Sequence, residues 1–284
     1  MKRAFFVIFA GAALAVLLHA QFGGILNRAK QAVEKAKPVT DRAQKAVENY
    51  TPWTAQEEQE IGEATAAKMV AMFGLVDAPP LVKYVNLVGN SVAQFAPRQV
   101  PYRFGILESD IVGAFALPGG FIFITRSAIE GMNDEAQLAG ALGHEIYHVS
   151  ERHLEREIRG KTNSAWAVQE AKAVSTRGPD FVRNRADAFV KDLMDTRLSR
   201  DKEDAADSEG TMLAAQAGYF AGGLREFLGT LERVQSTAQG KRAFGQLLST
   251  HPPFKERIDA LAPVVNRAGP GGATLEERFK AAIQ

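Results

Sequence analysis

The chain contains no cysteine. That removes a disulfide scaffold, a thiolate-ligated metal, a cysteine nucleophile and a lipid joined through an N-terminal cysteine. It leaves the compartment open, because exported proteins also fold without disulfides. An excess of one charge is lacking too: 34 Lys and Arg stand against 33 Asp and Glu, a net charge of +1. Nucleic-acid binding normally leaves a basic excess on one face, so no nucleic-acid partner is expected. The apolar stretch from Ala4 to Leu18 is shorter than the ~20 residues of a membrane-spanning helix. It follows Lys2 and Arg3 and runs into Leu18-His19-Ala20, the charged, apolar and small-residue order of an export signal. Residues 1–20 are therefore expected to be a signal peptide cleaved after about Ala20, leaving a periplasmic protein. Retention of Ala4 to Leu18 as an uncleaved membrane anchor is the alternative, and N-terminal sequencing separates the two.

A chain of 284 residues suits one substantial domain, and no internal repeat is present. Within residues 21–52, the stretch Asn27 to Asn49 is rich in Ala, Lys, Glu and Gln and is interrupted by Pro38. It reads as a helical N-terminal arm. Trp53 and Thr54 open a helix through Ile61, Ala64, Lys68, Met69 and Met72 that ends near Gly74, and a second passes through Leu81, Val85, Val88 and Val92. From Pro101 the character changes. Tyr102 to Leu107 alternates as a strand should, Ile111 to Phe115 and Phe121 to Thr125 look similar, and Pro118-Gly119-Gly120 marks a turn. These make one small antiparallel sheet in an α+β, mainly helical domain over residues 53–265.

A long helix follows, capped by Asp134 with Gln137 three residues on. Leu138, Ala141, Leu142 and Val149 form its apolar stripe, and Glu145 falls inside it. A carboxylate there is costly unless it is paired or near a metal. Downstream, Gly160 to Leu198 reads as a helical lid or cleft wall broken at Gly178-Pro179. Helices are then expected from Ser199 to Ala217 and from Ala221 to Val234. Residues 266–284 read as a tail with a loose loop and a short final helix.

The misplaced carboxylate belongs to His144-Glu145-Ile146-Tyr147-His148. Imidazoles four residues apart project from one helix face and reach one cation. The intervening Glu sets a carboxylate beside the position they leave open, where it can take a proton from an attacking water. Zinc suits two imidazoles plus a carboxylate, and a catalytic zinc keeps one position open. Chance gives this pattern in about 0.6% of chains of this composition. The bland alternative, two histidines pairing with surface carboxylates, sits poorly on an apolar, capped helix.

A third protein ligand is needed. On a continuous helix His153 would be rotated about 140° from His148, so it reads as a helix-end residue. Glu203 is the better candidate. In Glu203-Asp204-Ala205-Ala206-Asp207, residues 203 and 207 share a face, so Glu203 could bind zinc while Asp207 orients a ligating imidazole. Acidic helix faces are common, and composition alone leaves this even with a solvated face. His251, in Thr250-His251-Pro252-Pro253-Phe254, is a loop histidine, a class more often structural than catalytic. Its closeness to Arg257 suggests a cation near the site that could steady an oxyanion.

Four segments together resemble the HtpX-like and CAAX-prenyl-protease-like zinc metallopeptidases, most closely exported bacterial members that act on envelope proteins. They are Ala114-Phe115-Ala116-Leu117-Pro118-Gly119-Gly120 with Phe121 to Thr125, Leu142 to Val149, Glu203 to Asp207, and His251-Pro252 through Arg257. The resemblance implies a zincin-like domain holding one Zn2+ through His144, His148 and Glu203. It implies Glu145 as general base, Asp207 behind a ligand, and His251 and Arg257 at the active site, with the His251 loop regulating access to the metal or steadying the intermediate. It further implies that Gly119, Gly120 and the strand Phe121-Ile122-Phe123-Ile124 form the edge on which an extended substrate lies by strand addition. The partners implied are protein or peptide substrates, including outer-membrane proteins or their assembly machinery, with work close to a membrane. The family usually has Asn where this chain has Gly113, and commonly Gly where it has Tyr147; neither change removes a ligand or the base. The rival reading is a chaperone-like envelope factor latched by the His251 loop, which gain of proteolysis on mutating His251 would exclude.

Overall fold

A computed structural model describes residues 53–161, 182–184, 186–187, 189–191, 198–235 and 253–284. The expected signal peptide and N-terminal arm, most of the 160–198 segment and His251 lie outside the described residues. Thr54 begins α1 (Ala55–Phe73) with a reciprocal cap. Its hydroxyl accepts from the Glu57 N–H at 3.2 Å, and the Glu57 carboxylate accepts from the Thr54 N–H at 2.8 Å. The helix stops at Gly74, whose φ of +78° glycine adopts without steric cost. α2 (Pro79–Ala93) follows, with Leu81, Val85, Val88 and Val92 buried along one face.

The sheet contains β1 (Arg103–Leu107), β2 (Ala114–Ala116) and β3 (Phe121–Thr125) in the order β1-β3-β2. β3 runs parallel to β1 and antiparallel to β2, so the sheet is mixed rather than wholly antiparallel. Alternation along a strand reports which face is buried and carries no information on strand direction. The same order makes β3 the central strand. Phe121 to Ile124 cannot be an edge, because their backbone groups are taken up by β1 on one side and β2 on the other. Among the described residues no strand pairs with the outer side of β2, whereas β1 is bonded at its far end by Gly74 and Val76. Thr125 N donates to Gly113 O at 3.0 Å and Leu117 N to Phe121 O at 2.8 Å. In an antiparallel ladder Gly113, Phe115 and Leu117 therefore turn toward β3, while Ala114 and Ala116 turn their N–H and C=O groups outward.

The turn at Pro118–Gly120 is pinned from below. Gly119 (φ +72°) donates its N–H to the Glu58 carboxylate at 3.2 Å, and a Cβ on Gly120 (φ +92°) would lie 2.5 Å from the Pro101 carbonyl oxygen. Both glycines are buried, so they shape the turn and do not face a substrate. Glu58 is itself held by Arg98, at 2.8 and 2.5 Å, and by Arg152 at 2.8 Å.

After the short α3 (Arg126–Glu130), Asp134 caps α4 (Glu135–Ser150) by accepting from the Gln137 N–H at 3.0 Å; the Gln137 side chain reaches Asn133 N rather than the cap residue. Every residue of α4 except Tyr147 is buried. A helix covered on all sides must be enclosed by its neighbours, here the sheet, α2, α6 (Arg200–Gln216) and α7 (Gly223–Gln235). α5 (His153–Lys161) follows α4 directly. Glycines allow the closest crossing. A Cβ on Gly143 would lie 2.4 Å from Gly210 O, and one on Gly210 would lie 2.5 Å from His144 N. Glu203, Asp207 and Gly210 recur at i, i+4 and i+7, one stripe of α6, so this contact also aims both carboxylates at α4.

α8 (Phe254–Ala268) and α9 (Glu276–Ile283) complete the described chain. The 266–284 segment is more than a tail. Phe279 is fully buried in the main core, and Arg278 pairs with buried Glu135 in the first turn of α4. Tyr84 and Tyr219 donate to the same carboxylate at 2.6 and 2.7 Å.

Candidate metal centre

α4 places His144 and His148 one turn apart, and their Nε2 atoms face each other at 3.0 Å. Across the glycine crossing, the fully buried Glu203 sets its carboxylate oxygens 3.8 Å from His144 Nε2 and 3.5 Å from His148 Nε2. One donor atom from each of the three residues lies within 4.8 Å of the others. Two imidazole nitrogens and a carboxylate oxygen converging in this way form a donor set that zinc prefers.

The outer nitrogens show that the set fits a cation. His144 Nδ1 is 2.8 Å from Asp207 Oδ1, and His148 Nδ1 is 2.8 Å from His153 Nδ1. With partners on the Nδ1 side, both rings can keep Nε2 bare toward the same point. Asp207 is in turn gripped by Arg257, whose Nε donates to Oδ2 at 2.8 Å and Nη2 to Oδ1 at 2.6 Å. Burial alone would raise the Asp207 carboxyl, but the Arg257 guanidinium and the His144 ring hold it far below the usual carboxylate range. Arg257, also buried, keeps its charge firmly for the same reason. Its Nε and Nη2 are engaged by Asp207, and the residue lines the same hollow as Glu145.

Glu145 follows His144 and is 6% exposed. It lines a hollow with His144, Arg257, Gly113, Ala114 and Leu228, at the start of β2. A second hollow, beside His148, is bounded by Ala116, Leu117 and Pro118 at the end of β2. The start of β2 thus shares a hollow with His144 and Glu145, and its end shares one with His148.

The structure therefore brings together His144, Glu145, His148, Glu203, Asp207 and Arg257. Phe121 to Ile124 lie in the central strand β3, and Gly119 and Gly120 in the turn that precedes it. Two features escape the sequence. The outward-facing Ala114 and Ala116 depend on strand order. His153 depends on a break: α4 ends at Ser150, Arg152 takes a left-handed φ of +51°, and α5 starts at His153. The reversal folds the ring back beneath His148, where an unbroken helix would have pointed it away.

Two imidazoles and a carboxylate gathered from two helices, with a further carboxylate beside the first histidine and a strand edge alongside, define a zinc metallopeptidase. Residues 82–264 match peptidase family M48, and the chain belongs to that family, whose members are zinc-dependent. It is 26% identical over 221 residues to the beta-barrel assembly-enhancing protease of Escherichia coli, covering 75% of this chain and 44% of that protein. It is 32% identical over 161 residues to the mitochondrial metalloendopeptidase OMA1 of Arabidopsis thaliana, 55% of this chain and 30% of the relative. It is 25% identical over 223 residues to metalloprotease YcaL of Escherichia coli, 78% and 80% of the two chains. The chain thus spans less than half the length of the first two of these relatives.

Proposed function

We propose that the protein is a zinc-dependent endopeptidase that cuts extended or misfolded segments of envelope proteins in the periplasm. The convergence of His144, His148 and Glu203 beside Glu145 carries this reading. Those three residues would hold the ion; when bound, zinc supplies a Lewis acid that polarises the scissile carbonyl and makes an attacking water more acidic. Glu145 takes the proton from that water and returns it to the leaving amine. Asp207, braced by Arg257, fixes the His144 ring.

The substrate backbone pairs with the outward groups of Ala114 and Ala116, which requires an extended segment. Glu145 sits by the hollow at the start of β2 and protonates the leaving amine, so the residue after the scissile bond lies there. The acyl side then runs past His148 toward Pro118, antiparallel to β2. Leu224, Phe227, Leu228 and Leu231 line the first hollow, which suits a large apolar side chain after the cut.

The envelope setting is supported by the names of the relatives and by the export-signal order of residues 1–20. Outer-membrane β-barrel proteins, or the machinery that assembles them, are the partners this favours. Among the described residues no helix is long and apolar enough to cross a membrane. The test is digestion of casein by the purified protein beside Glu145→Gln, with zinc measured in both. Cutting by the wild type and none by a zinc-loaded variant is expected. Zinc in both with cutting by neither points to the latched binder, and zinc in neither sinks the proposal.

A further inference from the structure

We infer that His153 is a positioning residue for the metal centre: its Nδ1 accepts the Nδ1–H of His148 and holds that ring in the one neutral tautomer that leaves Nε2 bare toward His144 and Glu203. The inference rests on His148 being a zinc ligand. A neutral imidazole carries one proton. If the lone pair of His148 Nε2 faces the ion, the proton is on Nδ1, and Nδ1 of His153 lies 2.8 Å from it. His153 must then be neutral with its own proton on Nε2, since a proton on both facing nitrogens would set N–H against N–H.

The surroundings favour that state. His153 is 6% exposed and packs edge-on to Tyr147, with ring centroids 5.8 Å apart. The placement is held against a backbone cost. The left-handed Arg152 is an unfavourable conformation for a side chain other than glycine, and its guanidinium is fixed by Glu58 at 2.8 Å and Glu155 at 3.5 Å. Glu155 also accepts the Trp53 N–H at 3.1 Å. The two ligating histidines therefore have unlike supports: a carboxylate behind His144 and a neutral imidazole behind His148.

The experiment compares zinc affinity, by competition with a chromogenic chelator, in the full chain and in His153→Leu and His153→Asn. Leucine fills the space without an acceptor, while asparagine carries an oxygen close to the position of Nδ1. Leucine should weaken zinc binding by about ten- to a hundredfold and asparagine by no more than ~threefold, with metal-free melting temperatures showing that each is folded. In zinc-loaded wild-type protein, long-range 1H–15N spectra should place the proton on Nδ1 of His148 and Nε2 of His153. That measurement decides the matter even if a variant does not fold. Wild-type affinity in the leucine variant, equal losses in both variants, or a proton on His153 Nδ1 overturns the inference alone. A wild-type chain that holds no zinc overturns the ligand reading and takes this inference with it.

Discussion

Replacing Gly210 with alanine adds a methyl carbon 2.5 Å from His144 N and 2.7 Å from both Gly143 C and His144 Cα. All three are backbone atoms of a helix, so no side-chain rotation relieves the contact. Restoring ordinary van der Waals separation moves α6 away from α4 by about 1 Å. Overpacking of this kind costs about 1–3 kcal/mol, offset by the ~1 kcal/mol that alanine gains over glycine inside a helix. A net loss of about 0–2 kcal/mol of stability is modest, yet the same shift carries Glu203 out of reach. Metal–ligand distances tolerate only ~0.2 Å, so zinc affinity should fall by at least about a hundredfold, the upper end of what losing a supporting partner costs. Gly229 is the control: it lies within α7, and a Cβ there meets nothing within 4 Å. Alanine at 229 should raise stability by ~1 kcal/mol and leave zinc binding untouched. Urea melts of the metal-free proteins and chelator competition measure both quantities. If Gly210→Ala holds zinc as tightly as wild type, the helix approach does not set the third ligand, and the reasoning fails.

Asp207→Asn leaves Arg257 buried without its carboxylate and should cost about 3–5 kcal/mol at neutral pH. Because the folded Asp207 lies far below its ordinary value, its contribution is complete above about pH 4 and is lost as acid approaches the folded value. The stability gap between wild type and variant should therefore narrow below pH 4; a constant gap down to pH 2 counts against the pairing. Phe279→Ala should cost about 3–5 kcal/mol, whereas a loose tail would make it neutral in a urea melt. Mass spectrometry of casein fragments should find Leu, Phe, Ile or Met after the cut, and a preference for charged residues there would refute the placement of the substrate.

Local rules carried the reading of the helices a long way. The Thr54 cap, the stop at Gly74 and the Asp134 cap are decisions made by a few adjacent residues. The zinc motif and the 203/207 pair are likewise set by helical spacing, so their faces could be drawn from the chain alone. What could not be drawn depends on partners distant in sequence. Phe121 to Ile124 show the same alternation whether β3 is central or at an edge. The Gly143–Gly210 crossing joins two residues whose lack of a side chain is ambiguous until the helices meet. His153 was hidden by the assumption of one continuous helix, which a single left-handed residue, Arg152, invalidates. The burial of Phe279 depends on α2 and α4, including the Tyr84 ring 6.4 Å away, which only folding brings near.

An open strand edge invites pairing with any unfolded chain, including another copy of the same protein, and long exposed edges are where aggregation begins. The edge here offers two residues, Ala114 and Ala116, before the ladder ends in the buried glycine turn at Pro118–Gly120. That length would serve for the proposed pairing with a substrate segment but is too short to template a growing sheet. A protein working among unfolded neighbours would thereby handle their backbones without being recruited into their aggregates.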